Sequence, residues 1–172
     1  ILLQLFDQGI VGLDDPIDQW LPGLPNADRV TLRMLINSTS GYPEYVSYNR
    51  FEDAIYADVF RTWSPEELIA IAFEQPLQFN PGTNWGYAHT NFVLLGLALE
   101  RATGQSFDRL MHDRIIRPLR LRNTANPSTP AIPGPVLHAY TTERGRYEES
   151  TFWNPSWTLA RGAIMTSSLT DM

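Results

Sequence analysis

Pro81-Gly82-Thr83-Asn84-Trp85-Gly86-Tyr87-Ala88-His89-Thr90-Asn91-Phe92 is a polar turn running into an apolar segment, and its reading decides the fold. From Phe92 to Ala102 the chain is apolar nearly all round (Val93, Leu94, Leu95, Leu97, Leu99), the pattern of a buried core helix, and Gly104 closes it. A Tyr and a His two residues apart thus stand where a turn enters a rigid element at the edge of a core. Catalytic groups need that kind of support. The same letters also suit a structural part, with Tyr87 a half-buried aromatic and His89 or Thr90 a helix cap.

Upstream, Ile1 to Gln8 has helical spacing and stops at Gly9, a fitting residue after a helix end. Leu13-Asp14-Asp15-Pro16 reads as a turn, and Pro22 and Pro25 keep the next stretch irregular. Thr31 can cap a short helix through Ile36, ended by Ser38-Thr39-Ser40-Gly41. Ser64-Pro65-Glu66-Glu67 has the order of a capping box, with Ser at the N-cap, Pro at N1 and Glu at N3. That helix is expected to run to about Glu74, before Pro76.

Downstream, Ser106 caps an amphipathic helix to about Ile116, stopped by Pro118. Asn123 to Ser156 is rich in Pro, Gly, Thr and aromatics, and reads as loops with a short hairpin around Gly145. Ser168-Leu169-Thr170-Asp171 has the letters of another capping box. There is no internal repeat or linker. Both ends fall where helices are expected to continue, so residues 1–172 read as a single incomplete domain, truncated at both ends.

Composition narrows the function classes. The 172 residues carry a net charge of −6, which disfavours a nucleic acid or an anionic membrane as partner. The run Arg109, Arg114, Arg117, Arg120 and Arg122 reads as a solvated helix face continuing into a loop. No apolar run is long enough to span a bilayer. With no cysteine, thiol catalysis and Cys-ligated metals are excluded. His89, His112 and His138 are too scattered for an H-x-x-x-H metal site, so no metal is expected; there is no G-x-S-x-G elbow and no Gly-rich phosphate loop. Every one of the 13 basic residues is arginine.

The order of motifs resembles one family. Leu2-Leu3-Gln4-Leu5-Phe6-Asp7-Gln8-Gly9, then Leu13-Asp14-Asp15-Pro16 and Trp20-Leu21-Pro22, is similar to an early stretch of the class C β-lactamase and DD-peptidase family. Thr31 to Leu35 with Thr39-Ser40-Gly41-Tyr42-Pro43 resembles its "LLtHtSGlp" segment, Ser38 standing where that segment has His. Pro81-Gly82, Tyr87, Leu94-Leu95-Gly96, Thr103-Gly104 and Pro118-Leu119 follow its "PG…YSN…lLG…tG…PL" order. Gly162-Ala163-Ile164-Met165-Thr166-Ser167-Ser168 with Asp171-Met172 resembles its "aGglvSTa.Dm".

What this implies is an α+β, β-lactamase/transpeptidase-like fold, with this chain mainly the helical subdomain plus loops and a few short strands. It also implies a serine hydrolase forming an acyl-enzyme on D-amino-acid peptides, β-lactams or small esters. That chemistry uses a Ser-x-x-Lys helix, a Tyr-x-Asn loop and a Lys-Thr-Gly-like strand. Tyr87 falls on the family's catalytic Tyr, and His89 on the position usually held by Asn. Both are expected catalytic residues, Trp153 in Phe152-Trp153-Asn154-Pro155 is either a wall of the substrate pocket or, the favoured reading, an aromatic that anchors its loop, and no cofactor is expected. By resemblance the protein works in the periplasm, the cell envelope or outside the cell.

A phenol with an ordinary pKa of about 10 is a poor base at neutral pH unless cations or an amine assist it. Arginine stays protonated and is no substitute. With no lysine in the sequence, the chain alone is expected to be inactive. The Ser-x-x-Lys is expected roughly two to four helical turns before Ile1 and the third motif beyond Met172. The other reading is a non-catalytic relative that binds peptidoglycan fragments or a protein partner, suggested by His89 and Ser38.

Overall fold

A computed structural model of the chain describes residues 1–126, 129–158 and 165–172. It is largely helical. In chain order come α1 (Leu2–Asp7), a 3-10 turn (Ile17–Gln19), α2 (Leu32–Ile36), α3 (Asn49–Ala57), α4 (Pro65–Ala72), α5 (His89–Thr103) and α6 (Phe107–Met111). Two short strands, β1 (Tyr140–Thr141) and β2 (Glu148–Glu149), pair antiparallel with Tyr140 opposite Glu149. They form the hairpin expected around Gly145.

α5 is the axis of the molecule. It packs on α2, α4 and α6. Its buried face joins two apolar clusters: Leu94, Ala98 and Leu99 meet Leu5, Ile17, Leu32, Leu35 and Leu110. Val93 joins Tyr45, Phe51, Ile55, Trp63 and Leu68. Ile69 of α4 touches both clusters. A helix apolar all round can be covered only this way, by neighbours on several sides.

The helix starts follow from their caps. Thr31, Ser64 and Ser106 each accept a hydrogen bond from a backbone N–H one turn in. At α4 the box is complete: Ser64 Oγ accepts from Glu67 N–H at 3.2 Å and Glu67 Oε2 accepts from Ser64 N–H at 2.8 Å. Ser64→Ala is expected to cost about 1 kcal/mol in chemical denaturation. A loss below a few tenths would show that packing alone sets this helix start.

Four elements differ from the sequence expectation. α3 has no counterpart in it. α4 stops at Ala72, and turns continue to Gln75. Beyond Met111 the expected α6 continues as a π-helical turn over His112–Ile116. The capping box at Ser168–Asp171 does not form. There the chain turns, and Asp171 Oδ2 accepts instead from the Asn123 N–H (2.6 Å) and the Thr124 hydroxyl (2.8 Å). A partner distant in sequence has outcompeted the local one. Gly162, Ala163 and Ile164 lie outside the described residues. Among the described residues no helix is long and apolar enough to cross a membrane.

Candidate active site

The Tyr87 turn is held by a second segment, residues 38–45, which runs beside it. Gly82 N–H donates to Thr39 O (2.8 Å), Gly86 N–H to Ser38 O (2.9 Å), and Gln78 N–H to Gly41 O (2.8 Å). Closer to α5, Thr90 Oγ1 donates to Pro43 O (2.6 Å) and Ser40 Oγ to Asn91 Oδ1 (2.6 Å), both buried. Gly41 stands where the two segments leave no room for a side chain. Its φ is +78°, and an added Cβ would run into the Phe79 carbonyl, whose carbon lies 3.0 Å away. Ser38 is buried in the left-handed region at φ +63°, and its carbonyl is one of the rungs.

At the end of this ladder stand Tyr87 and His89. Ala88, the N-cap of α5, has no side chain to cap with. Glu44 does that work from the other segment, its Oε2 accepting from the His89 N–H at 2.9 Å. The same oxygen lies 2.7 Å from His89 Nδ1, and Oε1 accepts from Val46 N–H at 2.9 Å. The carboxylate also sits at the positive end of α5. Burial pushes the Glu44 carboxyl up, but the hydrogen bonds from the His89 ring, Val46 and His89 N–H outweigh it and hold it below the usual range. Glu44 is thus ionised at neutral pH. Its side chain is 15% exposed and that of His89 25%.

Rings close the His89 site on two sides. Tyr87 meets the imidazole edge-on at 5.1 Å between centroids and leans on Phe92 at 5.6 Å. Tyr45 meets it from another direction at 6.1 Å. The Tyr45 hydroxyl donates to the carbonyls of Trp157 (2.9 Å) or Thr158 (3.1 Å). Burial, then the Glu44 charge and Tyr87, push that phenol well above its usual range, so Tyr45 stays a neutral donor. Tyr87 itself is 47% exposed and presents its ring to solvent.

The structure therefore brings Tyr87 and His89 together on one rigid helix start. Trp153 lies apart from them: its ring faces Tyr56 at 6.5 Å, with the Arg144 guanidinium 5.5 Å from its centroid. Its neighbour Asn154 ties the strap that follows β2, residues 150–158, to the loop before α4, donating from Nδ2 to Thr62 Oγ1 at 2.8 Å. The strap reaches the site through the Trp157 and Thr158 carbonyls. Glu44 and Tyr45 were missed in the sequence, where nothing local links them to His89.

The chain matches the family described as Beta-lactamase over residues 1–172. It is 30% identical over 131 residues to penicillin-binding protein 4* of Bacillus subtilis, covering 72% of this chain and 27% of that protein. To the D-alanyl-D-alanine-carboxypeptidase/endopeptidase AmpH of Escherichia coli it is 30% identical over 135 residues, covering 76% and 34%. Its fold superposes on a D-stereospecific amidohydrolase from Streptomyces with a TM-score of 0.91 and 35% identity, covering 99% of this chain and 54% of that one. A D-amino acid amidase from Ochrobactrum anthropi follows at a TM-score of 0.81 and 28% identity, covering 99% and 48%. The chain thus spans about a third of these curated relatives and about half of these solved structures.

Proposed function

The chain belongs to the Beta-lactamase family, and on that premise we propose that its protein is a serine hydrolase that works through an acyl-enzyme on amides or peptides of D-amino acids. The observation that carries this reading is Tyr87, half exposed on the rigid start of α5, with its neighbour His89 pinned by Glu44. The names of the relatives support the substrate class: D-alanyl-D-alanine carboxypeptidase, D-stereospecific amidohydrolase and D-amino acid amidase.

In this reading Tyr87 relays a proton between the serine nucleophile and the leaving nitrogen. The nucleophile and its lysine come from chain outside these residues, since the sequence holds no lysine. Residues 1–172 supply the helical half of one domain and one wall of its cleft.

The test is acylation and turnover by the protein with its whole reading frame. A fluorescent penicillin should label it covalently, and a chromogenic D-amino-acid anilide should turn over faster than its L counterpart. Folded protein silent towards both the penicillin and the anilide would sink the hydrolase and leave a binding module for peptidoglycan fragments or a protein partner.

A further inference from the structure

We propose that Glu44 is a positioning residue that locks neutral His89 in the tautomer protonated at Nδ1, so that in this state Nε2 is the hydrogen-bond acceptor that the site offers to a ligand. The tautomer rests on the Glu44–His89 contact and the charge on Glu44; its consequence for substrate choice rests on the acyl-transfer reading above.

An ionised carboxylate has no proton to give, so a nitrogen 2.7 Å from it must be the donor. Oε2 takes that proton and the backbone N–H of the same residue, at 2.7 and 2.9 Å, so one oxygen fixes both the place of the ring and its orientation. Flipping the ring would set a bare nitrogen or a C–H against the charge. The Tyr87 and Tyr45 rings, 5.1 and 6.1 Å away, further restrict it. Glu44, Tyr45 and Tyr87 are the titratable groups against this imidazole. Tyr45 gives its proton to the carbonyls of Trp157 and Thr158, and so does not compete for Nε2. Among the described residues Nε2 has no hydrogen-bond partner.

An asparagine at this position would present a donor and an acceptor together, whereas a neutral histidine with Nδ1–H committed presents only an acceptor. Such a site favours a ligand that brings an N–H, such as the amide nitrogen of a leaving group or an α-ammonium. An ester with the same acyl part brings only acceptor oxygens to that point and leaves Nε2 unpaired.

Nitrogen NMR of histidine-labelled protein at mildly alkaline pH reads the tautomer directly, the His89 signal being the one lost in His89→Asn. The expected result is a proton on Nδ1 in the native protein and a mixed or Nε2-protonated ring in Glu44→Ala. A native ring protonated at Nε2, or Nδ1–H retained in Glu44→Ala, would overturn the proposal. Should Glu44→Ala lose its spectral dispersion, Glu44→Leu, similar in size but with no oxygen to accept, takes its place, and a single Nδ1–H tautomer there counts against the lock.

The second readout is the kcat/KM ratio for an anilide and an ester sharing one D-acyl group. Glu44→Leu, which has no acceptor for Nδ1–H, should lower that ratio about tenfold, the worth of one hydrogen bond, chiefly through the anilide. An unchanged ratio overturns the preference. No hydrolysis of either compound by native protein counts against the acyl-transfer reading instead, and the NMR result still decides the lock.

Discussion

Gly41→Ala is expected to destabilise the fold by about 4 kcal/mol or more, lowering Tm by roughly 10 °C in a domain of this size. Two costs add. The φ of +78° lies in the region that L side chains enter only at a penalty of about 1–2 kcal/mol. The new methyl would also collide with the Phe79 carbonyl, which is backbone and itself held in place by Gln78 N–H donating to Gly41 O at 2.8 Å. Neither partner can give without parting the two segments. Gly9 is the control: its φ is +69°, yet nothing lies within 4 Å of the added Cβ. Gly9→Ala should therefore show only the conformational cost, about 1 kcal/mol. Thermal unfolding of both variants separates strain from collision, and equal losses would mean that the crossing has room to relax.

On the proposed acyl-enzyme reading, Tyr87→Phe is expected to lower kcat of the protein with its whole reading frame by about 10²- to 10⁴-fold, the usual contribution of a positioned proton-transfer group. Its effect on stability should stay within about 0.5 kcal/mol, because the ring and its contacts with His89 and Phe92 survive and the residue is half exposed. The loss should appear in single-turnover acylation as well as in steady-state turnover, placing the defect in chemistry. A Tyr87→Phe enzyme with native kcat would remove Tyr87 from the mechanism and reduce it to a wall of the cleft.

Local chemistry was legible in the sequence and distant pairing was not. The α4 start was readable because Ser64, Pro65 and Glu67 satisfy one another within four residues. α5 was readable because its apolar run has only one way to be covered. Tyr87 and His89 emerged from their place before that run. α3 follows Tyr48, which gives no side-chain cap, so no start signal marks it, although Phe51 and Ile55 stand at helical spacing and are its buried face. Ser168–Asp171 shows the opposite error, since its letters suit a cap but Thr124 and Asn123 claim the carboxylate. Glu44, 45 positions from His89, looked like any acidic residue after a turn.

The ladder between residues 38–45 and 78–91 has a consequence for how the protein acquires its site. Its side-chain rungs join positions 45, 47 and 51 apart. Each closes a long loop, an entropic cost repaid only after α3 and α4 have filled the space between. Folding should therefore deliver the Tyr87 corner late. A nascent or partly unfolded chain would lack the pairing of Glu44 with His89. Competence of the site would then report completion of the core, and a lesion deep beside Phe51 or Leu68 would silence the chemistry without touching it.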